Sequence, residues 1–235
     1  MKTSPALRAF HEDPIPTGVL VRAVEAARFA PSGGNLQPWR VIVVNDPAKR
    51  TAMRDIYWRH WQPYYEQKMQ SKPSAEGLVA VELTPEMERR LNAANEFADR
   101  WDRVPLMLAI CTDLNRLLMT DKGLDRPTIV GGASTYTFVQ NLMLALRAEG
   151  LTSVLTTLTV ADEPDVLRIL GVPDHYALAS VVMAAHSPRD LDNTRLTRLS
   201  TEEILFVDDF GAALETSGVD EIGPSDPALS AGGDR

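Results

Sequence analysis

Hydrophobic and polar positions along this 235-residue chain repeat mostly at helical spacing, with short apolar runs between them. Apolar residues at that spacing predict a helix over residues 17–30, with Thr17 as its N-cap and Pro31 after its end. Residues 131–149 are apolar around much of the circumference, which predicts a deeply buried helix. The remaining periodic segments predict three further helices over residues 48–59, 84–101 and 162–170.

Apolar runs of strand length separate these helices. Residues 40–44, 104–112 and 176–185 predict core strands, and residues 151–158 predict a short extended segment. Residues 114–130 carry no periodic pattern and are predicted to form a loop with one helical turn. The alternation of strand and helix predicts a mixed α/β layer architecture.

Composition and charge narrow the class of protein. The formal net charge is −8, and residues 215–235 hold five acidic residues and one arginine. We therefore expect one domain over residues 1–214 and a flexible acidic tail over residues 215–235. A duplex nucleic-acid partner is not expected because that partner requires a basic face. No apolar run approaches the ~20 residues that span a bilayer, so we expect no membrane partner and a cytoplasmic location.

The single cysteine and the four histidines predict little chemistry of their own. Cys111 lies in an apolar run, which predicts a buried thiol rather than a reactive one, and one cysteine forms no disulfide within the chain. The histidines are scattered without metal-ligand spacing, so no metal site is expected.

The nine residues 31–39, PSGGNLQPW, connect the first predicted helix to the first predicted strand. Gly33 and Gly34 let the backbone pass where side chains would collide. Asn35 and Gln37 each offer an amide donor and an acceptor. The segment suits a flat ligand with polar edges, such as a flavin or a base, and it suits a tight turn with incidental amides equally well.

These residues resemble the signature of the FMN-dependent nitroreductase family. SGGNLQPW at 32–39 lies between a helix and a strand, as it does in that family. RAF and DPIP within residues 8–16, VQNL at 139–142 and RLTRLS at 195–200 are similar to further family segments in the same order. The similarity spans roughly residues 5–210.

The resemblance implies an α+β nitroreductase-like fold, with a mixed central sheet flanked by helices. It also implies a homodimer with FMN at the subunit interface. It assigns ten residues to FMN: Arg8, Pro31, Ser32, Gly33, Asn35, Gln37, Thr156, Thr157, Arg195 and Arg198.

Each group of these residues has an implied role and a simpler alternative. The arginines would hold the phosphate or ribityl chain through charge-assisted bonds, or else form ordinary surface contacts. The loop residues would approach the isoalloxazine, in part from the partner subunit. The threonines would lie near the reactive N5 side, or else pack at a strand end.

Aromatic residues offer candidates for contact with a substrate. Tyr136 begins the helix over 131–149 and would stack on a flat substrate or serve as a core ring. The ring-rich stretch 57–65 would line a substrate pocket, act as a lid or simply pack in the core.

The implied activity is reduction of a nitroaromatic or quinone by NADH or NADPH through FMN in a ping-pong order. Two alternatives stay open: a flavin-destructase or dehalogenase-like enzyme of the same fold, and a non-enzymatic FMN-binding module. One departure concerns the phosphate site. The family usually carries a further arginine, often followed by serine, just before Arg8, and this chain has Ser4, Pro5 and Ala6 there.

Overall fold

A computed structural model describes residues 4–70, 83–188 and 196–213 of the chain. The chain divides into a unit over Met1–Arg195 and a unit over Leu196–Arg235. The first unit contains the helices α1 (Thr17–Ala27), α2 (Pro47–Met69), α3 (Pro85–Asp99), α4 (Ala133–Ala148) and α5 (Glu163–Leu170). Its strands are β1 (Trp39–Val43), β2 (Leu106–Asp113), β3 (Thr152–Thr156) and β4 (Tyr176–Ala185).

The four strands form one sheet in the order β1-β2-β4-β3. All three strand pairs are antiparallel, with Ile42 opposite Ala109, Ala109 opposite Val181 and Val181 opposite Thr156. The expected α+β architecture of a sheet flanked by helices is confirmed. The described strands form an antiparallel sheet, whereas the family resemblance implied a mixed one.

The hydrophobic core has two parts, one on each face of the sheet. The side chains of Met107, Ala109 and Cys111 pack in one cluster with α2 and α3. The alternate residues of β2 pack in the other cluster with α1 and α4. All eight residues of β2 are buried, as the continuous apolar run in the sequence predicted.

Helix α2 is longer than the sequence predicted, and it continues through Pro63. Its second half is fastened to α3, since Trp61 donates its indole N–H to Asn95 at 2.8 Å and Tyr65 donates its hydroxyl to Asn92 at 2.7 Å. These contacts offset the backbone hydrogen bond that the proline lacks.

Two local predictions were wrong. Thr17 is the first residue of α1 rather than its N-cap, which is Pro16 without a side-chain cap. In α4 only one face is deeply buried, with Phe138 and Leu142 in the core, while Tyr136 is 42% exposed.

None of the helices in the described part of the chain has the length and apolar character that a membrane span requires.

Arg50 joins the start of α2 to the strands. Its guanidinium donates to the backbone carbonyls of Asp102 at 2.8 Å and Val44 at 2.7 Å, and also to that of Val104. Burial lowers the pKa of this guanidinium, although Asp102 partly compensates. The Arg50 side chain is therefore a hydrogen-bond donor to three backbone carbonyls that lie beside β1 and β2.

We expect Arg50→Met to lower the free energy of unfolding by about 3 kcal/mol, because it leaves partly buried carbonyls without donors. Urea unfolding measures the change. Arg89→Met is the matched control, since Arg89 is exposed on α3 and has no partner among the described residues. An equal effect of both substitutions would contradict the proposed role of Arg50.

Candidate functional site

The loop over residues 31–37 has an unusual backbone. Gly34, Asn35 and Gln37 have φ values of 57°, 55° and 48°, in the left-handed region. Asn35 and Gln37 are not glycine, so their backbones carry strain of order 1–3 kcal/mol each. The Ser32 hydroxyl accepts a hydrogen bond from the Gln37 N–H at 3.1 Å and closes the loop. Strain of this kind is characteristic of functional loops.

The loop presents a pair of side-chain amides. The Gln37 amide nitrogen donates to the Asn35 side-chain oxygen at 3.1 Å and to its backbone carbonyl at 3.3 Å. The Asn35 amide nitrogen and the Gln37 amide oxygen have no partner among the described residues. The loop thus offers one amide donor and one amide acceptor to a ligand with polar edges.

Neighbouring segments hold this loop in place. The Ser134 hydroxyl accepts from the Gly33 N–H at 3.2 Å, and the Thr137 hydroxyl shares its hydrogen between the Pro31 carbonyl at 3.0 Å and the Ser134 carbonyl at 2.7 Å. Arg116 donates to the Leu36 carbonyl at 3.3 Å. The first turn of α4 and the segment that follows β2 therefore support the loop.

A second candidate region surrounds Arg8. A cavity of about 220 Å³ is lined by one arginine, one threonine, four aromatic residues and three aliphatic residues: Arg8, Thr156, Tyr57, Trp61, Tyr64, Phe97, Val154, Leu155 and Leu158. The Arg8 guanidinium carbon lies 5.6 Å from the centroid of Phe97. The cavity combines flat aromatic walls with one cationic group and three hydroxyl-bearing residues, a combination found in small-molecule sites.

The aromatic wall continues into the core. Tyr57 stacks on Trp101 with ring centroids 5.0 Å apart and on Trp61 with centroids 6.2 Å apart. Burial raises the pKa of Tyr57 to about 12, while the positive charge of Arg8 opposes the shift. The ring-rich stretch 57–65 thus packs in the core and also lines the cavity, while its contact with a substrate stays a prediction.

The loop and the cavity are separate places in one chain. The cavity contains Arg8 and Thr156 and none of residues 31–37. Its wall belongs to the α2/α3 side of the sheet, whereas the loop is bracketed by Ala30 and Trp39 on the α1/α4 side. The loop also enters β1 at one edge of the sheet, and Thr156 ends β3 at the other edge, three strand spacings or about 14 Å away.

The remaining predicted cofactor residues are less informative. Thr157 is exposed directly after β3, and its carbonyl accepts from the Val160 N–H at 2.9 Å. Arg195 lies outside the described residues. Arg198 belongs to the second unit, where it donates to the neighbouring Thr197 carbonyl at 2.7 Å. Ser4 lies among the positions where the family usually carries a further arginine. Its hydroxyl is buried and has no hydrogen-bond partner among the described residues.

Tyr136 contacts an irregular point in the sheet. Ala179 is the extra residue of a β-bulge in β4, where the pairing with β2 shifts between Ile110 and Cys111. The Tyr136 hydroxyl donates to the Ala179 carbonyl at 2.9 Å. A side chain at Gly132 would lie only 2.6 Å from the Tyr136 ring, so Gly132 lets that ring lie flat. Contact of Tyr136 with substrate stays a prediction.

A buried carboxylate organises the segment before α4. Asp121 is 4% exposed, and its oxygens accept from the Thr128 hydroxyl at 2.6 Å and from the Ile129 N–H at 2.9 Å. Arg126 and the Val130 N–H also donate to it, at 2.9 Å and 3.3 Å. These donors hold the pKa of Asp121 well below its usual range, with the Thr128 bond as the largest cause.

Cys111 does not take part in either region. It is free and buried, as predicted, and burial raises the pKa of its thiol to about 11 with a contribution from Glu163. Within the described parts of the chain, no cluster of three His, Cys, Asp or Glu side chains suits a metal ion.

Sequence reasoning missed two contributors to these regions. Phe97 forms a wall of the cavity, but its position on α3 looks like any amphipathic core position. Asp121 lies in a stretch without periodicity, and only the folded loop reveals its four donors. For the cavity wall of α2 a signal existed, since Tyr57, Trp61 and Tyr64 recur at helical spacing.

The chain is similar to several known proteins. The Nitroreductase family model matches residues 5–186. A NADH dehydrogenase from Thermus thermophilus is 32% identical over 177 residues, which cover 75% of this chain and 80% of that protein. A 5,6-dimethylbenzimidazole synthase from Rhodospirillum rubrum is 30% identical over 178 residues, which cover 74% of each protein.

Solved structures agree on the fold. A structure of oxidised iodotyrosine deiodinase bound to FMN and 3-iodo-L-tyrosine has a TM-score of 0.60 at 20% identity. The alignment covers 89% of this chain and 96% of that one. At this identity the likeness shows the fold alone.

The lowered pKa of Asp121 predicts a pH dependence of stability. A carboxyl with a depressed pKa stabilises the fold above its unfolded pKa of about 4, and this contribution is lost as the pH falls through the folded pKa. We therefore expect wild type to exceed Asp121→Asn in the free energy of unfolding at about pH 7, and the difference to shrink at about pH 3. Urea unfolding at both pH values measures it.

Asp125→Asn is the matched control, because Asp125 lies in the same loop, is exposed and has no partner among the described residues. A wild-type advantage over Asp121→Asn that is the same at both pH values would contradict the prediction.

Proposed function

Since this chain belongs to the nitroreductase family, we propose that it is an FMN-dependent oxidoreductase that uses NADH or NADPH to reduce nitroaromatic or quinone-type compounds. Family membership rests on the match over residues 5–186. The observation that carries the cofactor is the strained loop with its free amide donor and acceptor, together with the cavity that joins Arg8 and Thr156.

We also propose that the active protein is a homodimer. The two candidate regions lie on opposite faces and edges of the sheet, so a second copy is needed to bring a loop next to a cavity. The α1/α4 side exposes large apolar side chains that a partner would cover. Phe29 is 75% exposed, and Ile129 is 74% exposed.

The residues suit FMN in complementary ways. Bound FMN would accept a hydride from the nicotinamide and pass reducing equivalents to the second substrate. Arg8 would hold the ribityl chain or the phosphate by charge-assisted bonds, and Thr156 would contact the ring near its N5 side. The Asn35 and Gln37 amides would bind a polar edge of the ring, and the aromatic wall would exclude water. Arg195 and Arg198 stay proposed phosphate ligands, and Pro31, Ser32, Gly33 and Thr157 stay proposed ring contacts.

A dehalogenase-like or flavin-destructase reaction is the second candidate. The 30% identity to a 5,6-dimethylbenzimidazole synthase and the 26% identity to an iodotyrosine dehalogenase 1 homolog from Caenorhabditis elegans favour testing it. A screen that compares nitroaromatics, quinones and halogenated phenols under the same conditions separates these activities. A yellow protein that turns over none of them would favour an FMN-binding module without enzymatic activity.

We expect the purified protein to bind FMN and to lose the oxidised-flavin absorbance when NADPH or NADH is added without oxygen. A nitroaromatic or quinone should then restore that absorbance. Bound flavin that neither nucleotide bleaches would contradict the proposed electron donor.

Arg8→Met should raise the Kd for FMN by about tenfold, the loss expected for one charge-assisted contact. Arg89→Met should leave that Kd unchanged. Flavin fluorescence titration measures both values, and a normal Kd for Arg8→Met would exclude Arg8 as a cofactor ligand.

Mixed dimers test whether each site combines two subunits. Gly34→Val disturbs the loop, since Gly34 has a left-handed φ of 57°. If Arg8→Met and Gly34→Val chains each bind FMN poorly, random mixing should restore about a quarter of the wild-type sites, because half of the dimers contain one intact pair. Recovery of no sites in dimers shown to exchange subunits would mean that each chain builds its own site.

A further inference from the structure

Asp121 lies in the segment that leads into α4, whose first residues contact the loop over residues 31–37, the candidate flavin loop. Its carboxylate accepts four donors, and three of them come from the consecutive residues Thr128, Ile129 and Val130. A side chain that holds three consecutive residues fixes the direction in which the backbone leaves them. The next residues along the chain are Gly131 and Gly132, followed by α4.

The segment held by Asp121 determines where α4 begins. The Val130 carbonyl accepts from the Ala133 N–H at 3.0 Å, in the turn that starts the helix. Gly131 packs closely on Met119, since an added Cβ would lie 3.3 Å from the Met119 sulfur. The two ends of the loop around Asp121 therefore meet beside the first turn of α4.

That first turn holds the candidate flavin loop. Ser134 accepts from the Gly33 N–H, and Thr137 donates to the Pro31 carbonyl. From the other end of the same segment, Leu118 packs against Gly33, where an added Cβ would lie 3.4 Å from the leucine methyl carbon. Both ends of the segment thus contact one glycine of the loop.

We propose that Asp121 is a positioning residue for the loop over residues 31–37, which it holds in a binding geometry through Ser134 and Leu118. It contacts neither the loop nor the cavity itself. The significance for FMN rests on the function proposed above, whereas the coupling between Asp121 and the loop does not.

The coupling follows from chemistry that asparagine cannot supply. In Asp121→Asn one acceptor oxygen becomes an N–H₂ donor, which faces donors such as the Ile129 N–H or the Arg126 guanidinium. The backbone around Val130 is then held by fewer hydrogen bonds, and the Ser134 hydroxyl is no longer fixed opposite Gly33. Thr128→Val is a milder variant of similar shape, which removes only the hydroxyl that donates at 2.6 Å.

Hydrogen exchange on the cofactor-free protein tests the coupling without relying on FMN. The reporters are the Gly33 and Gln37 amides, which donate to Ser134 and Ser32. We expect Asp121→Asn to speed their exchange by at least about tenfold more than it speeds exchange in β2 (Leu106–Asp113), whose buried amides report the loss of global stability. Thr128→Val should speed the same amides by about threefold, and Asp125→Asn should leave them unchanged.

FMN titration links the coupling to the site. Asp121→Asn should raise the Kd for FMN by about tenfold, and adding Ser134→Ala should raise it little further, because both substitutions release the same contact. Fully additive effects would overturn the route through Ser134.

Each other outcome decides a separate point. Unchanged exchange at Gly33 and Gln37 in both Asp121→Asn and Thr128→Val overturns the proposal. Exchange that speeds by the same factor in β2 as at Gly33 and Gln37 means that Asp121 supports only the whole fold, which also overturns a specific positioning role. Wild-type protein that does not bind FMN rejects the proposed function, while the exchange rates still decide the positioning role.

Discussion

The fold depends on covering the central strands β2 and β4 on both faces. Every residue of β2 is buried, and its alternate side chains enter two different hydrophobic clusters. The helices must therefore divide into two layers, with α2 and α3 on one face and α1 and α4 on the other. That division separates the strained loop from the cavity around Arg8. Our proposal requires a second subunit because β2 and β4 are covered by helices on both faces.

Polar groups give this apolar frame its specific geometry. Arg50 joins α2 to the backbone beside β1 and β2, and Asp121 accepts from the amides that precede α4. The Tyr136 hydroxyl donates to the Ala179 carbonyl at the β-bulge of β4. Each of these side chains bonds backbone groups, and Asp121 also accepts from the side chains of Arg126 and Thr128. The irregular connections that carry candidate site residues are therefore held by hydrogen bonds of their own.

The sequence predicted the positions of the helices and strands better than it predicted their tertiary contacts and the directions of the strands. Apolar periodicity located β4 and α5 closely, since burial on one face leaves a clear pattern. It ended α2 too early, because the Asn95 and Asn92 contacts that support the helix beyond Pro63 are distant in sequence. The loop motif was recognised from its residues, but neither Phe97 nor Asp121 was, since their roles arise only from tertiary contacts. The alternation of helices and strands along the chain likewise did not predict the direction of the strands.

The loop around Asp121 closes over few residues, so its ordering costs little chain entropy. All of its carboxylate contacts lie within nine positions of Asp121 along the chain. The backbone N–H groups of Leu124 and Ile129 bond Asp121, whereas the side chains of both residues are exposed and take no part in these bonds. Substitution of these outward side chains would therefore leave the bonds to Asp121 in place. The surface of this segment can change what it contacts while its backbone keeps its path.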